Sequence, residues 1–297
     1  MTFFQSILSS VMKGARGLNR FGSKSFGKLH DDINDAVDSL MSTTGEVSSL
    51  VYAEHLLNLI EQQDDDGLNK FLISLLSNYD IDTEKLSKDV KNYSSEKSGE
   101  NLKQINISSE PKWVELFRRL NSTPNGTYRL VKLRERIRSL NDPELKTFDF
   151  GLLNLFKDWF NPSFLVLEKI DWETPANILE KIIQYEAVHE INSWDDLRAR
   201  LAPLDRQCFA FFHPLIPNDP LIFVEVALCN GIPKSIQKII KIDRDEIDIE
   251  EVDTAIFYSI SNCHNGLLGI SFGNFLIKKV AKNLKQELPE LNQFLTL

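Results

Sequence analysis

Apolar residues recur every three or four positions through most of residues 31–183, which is the spacing of helices that bury one face. Such stripes lie in residues 47–60, 68–76, 113–117, 130–140, 150–160 and 174–183. Asp142-Pro143 and Asn161-Pro162 are typical of helix ends. We see no strand-like alternation in this half of the sequence. The pattern predicts an all-α helical bundle over residues 1–185.

Two polar stretches interrupt the helical pattern. Residues 92–110 are polar and rich in serine, which predicts a mobile loop between helices. Residues 121–126 read Asn-Ser-Thr-Pro-Asn-Gly, which predicts a tight turn.

The pattern changes after about residue 186. Residues 207–213 (QCFAFFH) and 221–228 (LIFVEVAL) are apolar runs of strand length. Residues 233–241 predict a short helix, and residues 254–282 predict a further strand and a long helix. The order β-β-α-β-α begins an α/β domain, which we assign to residues 186–297. The fold class predicted for the whole chain is therefore α+β.

Residues 254–282 contain the most informative pattern. Gly266 and Gly269 follow the apolar run 255–260, and they let the backbone turn and approach a ligand closely. A helical stripe then runs through Gly273, Ile277, Val280, Leu284 and Leu288. A helix that begins after such a turn presents free N–H groups and the positive end of its dipole, which suits a phosphate. The alternative is an ordinary βα connection whose glycines serve packing.

Charge and cysteine content exclude several classes of protein. The chain has 34 basic and 43 acidic residues and a net charge of −9, which argues against a nucleic-acid binder. Its three cysteines are isolated, so a disulfide framework or a zinc site is not expected. No apolar run approaches the length of a membrane span.

The first 30 residues contain basic residues and no acidic one. This composition is typical of a mitochondrial transit peptide, and it equally fits a basic first helix of a cytoplasmic protein. We expect a cytoplasmic location, with the mitochondrial matrix as the alternative.

Gly269-Ile-Ser271-Phe-Gly273 matches the G-x-S-x-G nucleophile elbow of α/β-hydrolases. The match lacks its context, because no histidine follows Ser271 and the predicted strand ends several residues earlier. We therefore do not assign Ser271 as a nucleophile, and a small residue beside a bound phosphate is the better interpretation.

Three other residues could carry chemistry. His213 ends a predicted strand and His264 lies in the glycine turn, so either could act as a base, although lone histidines more often serve packing. Glu225 lies within a strand pattern, where burial would raise its pKa; an edge strand with one polar face explains it equally well. The acidic residues 243–253 lack the spacing of a calcium loop and predict a solvated surface.

Many segments, in order, resemble the malonyl-CoA decarboxylase family. They are residues 171–176 (DWETPA), 185–189 (YEAVH), 194–198 (WDDLR), 206–214 (RQCFAFFHP), 220–228 (PLIFVEVAL), 254–261 (TAIFYSIS) and 266–277 (GLLGISFGNFLI). The resemblance extends over the chain, and it is weaker before residue 120 than after residue 150.

This resemblance implies an N-terminal helical domain used in homo-oligomerisation and a GNAT-like, acetyltransferase-like C-terminal domain. It also implies an enzyme that removes CO₂ from malonyl-CoA to give acetyl-CoA, with the CoA thioester as substrate and with no metal or separate cofactor. The family's acyl-CoA loop corresponds to Leu268, Gly269, Ile270, Ser271, Phe272, Gly273 and Asn274. Ser271 stands where the acetyltransferase pattern usually has a second small Gly or Ala.

The family's catalytic serine and histidine would both follow Leu297, in Leu-Ser-Pro and Asn-Phe-His contexts that this sequence does not contain. We therefore expect a truncated decarboxylase with part of the CoA site and little turnover. The alternative is a non-catalytic helical assembly module that retains CoA binding. Acyl transfer on the same scaffold is a weaker third hypothesis.

Overall fold

A computed structural model describes residues 29–216, 218–233, 235–241 and 244–296. The prediction for the basic N-terminal segment therefore falls almost entirely outside the described residues. The chain divides into two compact units, residues 1–155 and 156–297. The predicted domain boundary at residues 185/186 falls inside the second unit.

The described part of the first unit is helical, as the periodicity predicts. The described helices that begin in this unit are α1 (Ile33–Ser42), α2 (Glu46–Gln62), α3 (Asp65–Asn78), α4 (Thr83–Ser95), α5 (Gly99–Ser108), α6 (Lys112–Asn121), α7 (Gly126–Leu140) and α8 (Lys146–Trp159). Aspartate side chains accept hydrogen bonds from first-turn amides at the starts of α1, α3 and α4. Rings of Trp113, Phe117 and Phe148 pack together in the core. The apolar stripes thus bury one face of each amphipathic helix.

The predicted mobile loop over residues 92–110 is wrong. Helix α4 continues to Ser95, and α5 occupies most of the rest of this stretch. The Ser98 hydroxyl accepts a hydrogen bond from Asn101 N at 3.2 Å, and Asn101 Nδ2 donates to Glu96 O at 2.8 Å. These local bonds define the start of a helix, although the sequence around them lacks an apolar stripe.

The second unit contains a five-stranded sheet in the order β1-β2-β3-β4-β5. The strands are β1 (Val166–Ile170), β2 (Arg206–Phe212), β3 (Ile222–Cys229), β4 (Thr254–Asn262) and β5 (Gln293–Thr296). Strands β1 to β4 are mutually antiparallel, and β5 pairs with β4 in parallel. The interpretation of residues 31–183 as wholly helical is therefore wrong at β1, most of which is solvent-exposed.

Helices cover both faces of this sheet. On one face lie α9 (Ala176–Tyr185), α10 (Trp194–Leu201) and the short α11 (Ile236–Ile240). On the other face lies α12 (Gly273–Glu287), where Phe275 stacks on Phe211 of β2. Helix α12 buries Leu276, Val280 and Leu284. Its buried stripe thus passes through Leu276 rather than the predicted Ile277.

A bulge in β4 alters which side chains face the α9–α11 side of the sheet. Glu225 pairs with Ser259 and Val226 pairs with Phe257, so Tyr258 has no partner on β3. Two consecutive side chains, Tyr258 and Ser259, consequently point to the same face. This places additional polar groups inside the core on that side.

Candidate functional site

The predicted acyl-CoA loop, residues 268–274, connects β4 to the start of α12. A short 3₁₀ turn, Asn265–Leu267, follows β4. Gly269 then adopts a φ of 95°, a left-handed conformation that residues with a Cβ rarely adopt. Helix α12 begins four residues later, at Gly273. Gly269 is therefore the glycine that this turn requires.

The loop is anchored at one point and open elsewhere. Phe272 is buried and packs edge-on against Phe160, with ring centroids 6.4 Å apart. Leu268, Gly269, Ser271 and Asn274 are exposed, and Ile270 and Gly273 are half-buried. A ligand can thus reach the loop backbone from solvent, while Phe272 fixes its end to the fold.

No side chain in the described residues caps the start of α12. The first intrahelical bond that reaches back to Phe272 comes from Leu276 N, at 2.9 Å from Phe272 O. The amides of Gly273, Asn274 and Phe275 precede that bond, and such amides at a helix start suit an anion. Lys278, Lys279 and Lys282 on the same helix are exposed.

The two glycines that flank Ser271 have different roles. A Cβ built on Gly273 would lie 3.7 Å from Ile222 Cδ1 and 3.8 Å from Ile260 Cγ2, which are ordinary contacts with the sheet. An alanine would therefore fit at Gly273, whereas Gly269 is constrained by its backbone conformation. Ser271 is exposed in a loop well after the end of β4, which is not the geometry of a nucleophile elbow.

The structure gives His213 a structural role. Its Nε2 lies 3.0 Å from Trp159 O, and its Nδ1 accepts a hydrogen bond from Leu215 N at 3.2 Å. Both ring nitrogens are thus engaged by backbone groups, and the neutral imidazole satisfies both contacts. Burial lowers the pKa of His213, although the hydrogen bond to Trp159 opposes that shift. This histidine fixes backbone and does not reach the loop surface as a base.

His264 lies at the start of the predicted loop region, in contact with a carboxylate. Its Nε2 is 3.4 Å from Asp219 Oδ1, and Lys181 Nζ is 2.8 Å from Asp219 Oδ2. Burial by itself would raise the pKa of Asp219, but hydrogen bonds from His264 and Lys181 outweigh it, and the pKa is lowered. Because the His264 side chain is buried, it is not positioned to exchange protons with a ligand on the exposed loop.

Glu225 is fully buried in β3, a central strand, so the alternative that placed it on an edge strand is wrong. Its Oε2 accepts a hydrogen bond from Arg200 Nη1 at 3.0 Å. Burial raises its pKa to about 7; Arg200 opposes this shift and the nearby Glu186 carboxylate adds to it. The expectation of a raised pKa is confirmed.

Glu186 is a buried acidic residue that no pattern in the sequence singles out. One carboxylate oxygen accepts hydrogen bonds from the amides of Val188 and His189, at 2.8 and 2.7 Å. The Ser259 and Ser261 hydroxyls donate to the same carboxylate at 2.7–3.1 Å. Glu186 thus joins the segment after α9 to the bulged strand, through partners more than 70 positions away.

A search of the described residues finds no group of three or more His, Cys, Asp or Glu side chains that could hold a metal ion. None of the described helices is long and apolar enough to cross a membrane.

Two family patterns match this chain. The pattern described as the malonyl-CoA decarboxylase C-terminal domain matches residues 163–297, and that of the N-terminal domain matches residues 79–160. The division between them lies close to that between the two compact units.

Curated relatives carry the same name. The goose (Anser anser anser) protein, a mitochondrial malonyl-CoA decarboxylase, is 39% identical over 196 residues, which are 63% of this chain and 38% of the goose protein. The rat (Rattus norvegicus) protein of that name is 35% identical over 196 residues and is matched over 39% of its length. The match thus spans about two fifths of these relatives.

Solved structures agree with the sequence matches. Malonyl-CoA decarboxylase from Agrobacterium vitis superposes with a TM-score of 0.86 at 46% identity, over 90% of this chain and 65% of that protein. The enzyme from Rhodopseudomonas palustris superposes with a TM-score of 0.83 at 46% identity, over 90% of this chain and 66% of that protein.

Proposed function

The chain belongs to the malonyl-CoA decarboxylase family, and on that premise we propose that it binds malonyl-CoA for decarboxylation to acetyl-CoA and CO₂. In this proposal, residues 268–274 hold the diphosphate of coenzyme A. The observation that carries it is the uncapped start of α12, with its amides beside an exposed loop that turns at Gly269. The CoA thioester is the substrate, and the proposal includes no separate cofactor.

The chemistry places clear demands on the site. When the bond between the carboxylate carbon and the α-carbon breaks, its electron pair passes into the thioester, which becomes an enolate. Hydrogen-bond donors aimed at the thioester oxygen stabilise that charge, and a proton then adds at the α-carbon. The side chains of residues 268–274 include no group that titrates near neutral pH, so we assign binding, and not proton transfer, to this loop.

We further propose that the second unit has a GNAT-like layout. In support, a glycine-bearing loop and a long helix connect β4 to the parallel strand β5. This is the place at which acetyltransferases of that kind bind the CoA diphosphate. We retain the cytoplasm as the proposed location, with the mitochondrial matrix as the alternative that the names of the animal relatives favour.

Calorimetric titration of CoA into the chain tests the loop assignment, with Gly269→Ala as the variant. An alanine at a φ of 95° is strained by about 1–2 kcal/mol. The loop relaxes away from the binding conformation, so the affinity should fall by roughly tenfold or more. Gly99→Ala, outside the loop, is the control, because its Cβ meets no atom within 4 Å, and it should bind CoA as the wild type does.

Equal CoA affinity in Gly269→Ala and the wild type would remove residues 268–274 from the site. Absence of CoA binding by the wild type would overturn the binding proposal itself. An assay of CO₂ release from malonyl-CoA at subsaturating concentration tests the reaction itself. An undiminished rate in Gly269→Ala would contradict the role assigned to the loop.

A further inference from the structure

Three charged or polar side chains from separate segments meet beneath the start of the proposed CoA loop. Lys181 comes from α9, Asp219 from the connection between β2 and β3, and His264 from the segment just after β4. Lys181 Nζ contacts Asp219 Oδ2 at 2.8 Å, and His264 Nε2 lies 3.4 Å from Asp219 Oδ1. Lys181 also donates to Asn218 O at 2.8 Å. Asp219 and His264 are both buried, so this chain of contacts lies inside the fold.

The backbone connects this cluster to the loop. The carbonyl of His264 accepts a hydrogen bond from Leu267 N at 3.0 Å, and Ile270 N donates to Leu267 O at 3.2 Å. A displacement of His264 would therefore reach Ile270, within residues 268–274, through two successive hydrogen bonds. The Tyr185 ring packs edge-on against the His264 ring, with centroids 5.6 Å apart, which limits other positions of the imidazole.

We propose that Asp219 and His264 are positioning residues of the CoA loop, and this inference rests on the proposed function of residues 268–274. A buried carboxylate is stable only when it is paired and hydrogen-bonded. Asp219 is paired with Lys181 through Oδ2 at 2.8 Å, and its Oδ1 makes a longer contact of 3.4 Å with His264 Nε2. The carboxylate thereby attaches the start of the loop to α9, and the loop amides keep the orientation that the diphosphate requires.

The main test compares Asp219→Asn with the wild type by CoA titration and by amide hydrogen exchange in the free protein. Asparagine keeps the shape and loses the charge. We expect CoA affinity to fall by about tenfold, the scale of one charge-assisted hydrogen bond. We also expect faster exchange confined to residues 265–275, which a general loss of stability would not produce.

Asp253→Asn is the matched control. Asp253 also caps backbone, because its Oδ1 accepts hydrogen bonds from Gly231 N and from the Thr254 hydroxyl, both at 2.7 Å. It precedes β4, whereas His264 follows that strand. This variant should leave CoA affinity and exchange in residues 265–275 unchanged.

Two substitutions at His264 separate positioning from packing. His264→Gln keeps a polar group facing Asp219 and should retain most of the CoA affinity, whereas His264→Leu keeps the bulk without that group and should lose it. Wild-type affinity in Asp219→Asn, or equal affinities in the two His264 variants, would overturn the inference. If the wild type itself does not bind CoA, the proposed function fails, and the exchange measurement still decides whether Asp219 orders the loop.

Discussion

At the scale of single residues, the second unit contains an unusual buried polar core. Glu225 and Glu186 are both buried in it, and Arg200 forms an ion pair with Glu225. The Arg200 guanidinium also donates to Glu190 O at 3.1 Å, so it fastens the segment before α10 to the sheet. Two carboxylates and one guanidinium leave a surplus of negative charge when both acids are ionised. Burial and this surplus of negative charge together explain why the pKa of Glu225 is raised.

This environment makes the stability of the second unit depend on pH. The pKa of Glu225 is raised in the folded state, from 4.5 to about 7. The folded protein keeps the Glu225 proton at pH values where the unfolded chain has released it. The contribution of Glu225 to the free energy of unfolding is therefore fully present below pH 4.5 and is lost as the pH rises through 7. A shift of this size corresponds to roughly 3 kcal/mol of unfolding free energy. Glu225→Gln should remove this dependence, as measured by urea unfolding between pH 5 and pH 8.

The control for that measurement is Glu168→Gln, because Glu168 is exposed on β1. It should leave the slope of unfolding free energy against pH as it is in the wild type. A wild-type slope in Glu225→Gln would mean that another group titrates in this range.

At the scale of elements, the contact between α6 and α8 depends on a glycine, Gly151, which has no side chain. A Cβ built on Gly151 of α8 would lie 2.8 Å from Trp113 Cζ3, and closer still to Cη2 of the same ring. Trp113 is almost fully buried and packs on Phe117 and Phe148, so it has little room to move. The glycine thus allows a close approach of the two helices at the most aromatic part of the first unit.

Gly151→Ala should consequently destabilise the first unit by about 1–3 kcal/mol, the usual cost of overpacking a core. Gly99→Ala is the matched control, because a Cβ at Gly99, the first residue of α5, meets no atom within 4 Å. That control should be neutral or slightly stabilising, since alanine is the better helix former. Thermal unfolding followed by circular dichroism compares the two, and an unchanged melting temperature in Gly151→Ala would contradict the packing argument.

At the scale of the whole molecule, we propose that the chain forms a homo-oligomer through its helical unit. In support, Val90 of α4 and Leu102 and Ile107 of α5 are large apolar residues that are 44–53% exposed. Exposed apolar groups of this kind are typical of surfaces that associate. The family resemblance assigns assembly to the same unit.

Ile107→Glu should then shift the molar mass measured by light scattering toward the monomer, because it places a charge within the apolar surface of α5. Gln62→Glu introduces the same charge at an exposed position of α2, outside α4 and α5, and should leave the assembly unchanged. A wild-type protein that is monomeric at every accessible concentration would overturn the oligomer proposal.

The helices with apolar stripes and strands β2, β3 and β4 were predictable because each satisfies a local rule. Periodicity identifies a buried face within a dozen residues, and a continuous apolar run identifies a strand that is covered on both sides. Elements that do not satisfy these rules were not predicted. Strand β1 is mostly exposed, so its short sequence carries no apolar run, and α4 and α5 are defined by caps more than by burial.

The sequence by itself determined the family, the elements with a clear apolar pattern, and the glycine loop that precedes α12. It selected Gly269 because a positive φ has a strong local preference for glycine. Only the tertiary structure decided which polar residues share a core. The contacts of Asp219 with His264, of Glu186 with Ser259 and of Arg200 with Glu225 join positions 25 to 73 residues apart. Such pairings follow from strand register and from the bulge at Tyr258, and neither leaves a pattern in the local sequence.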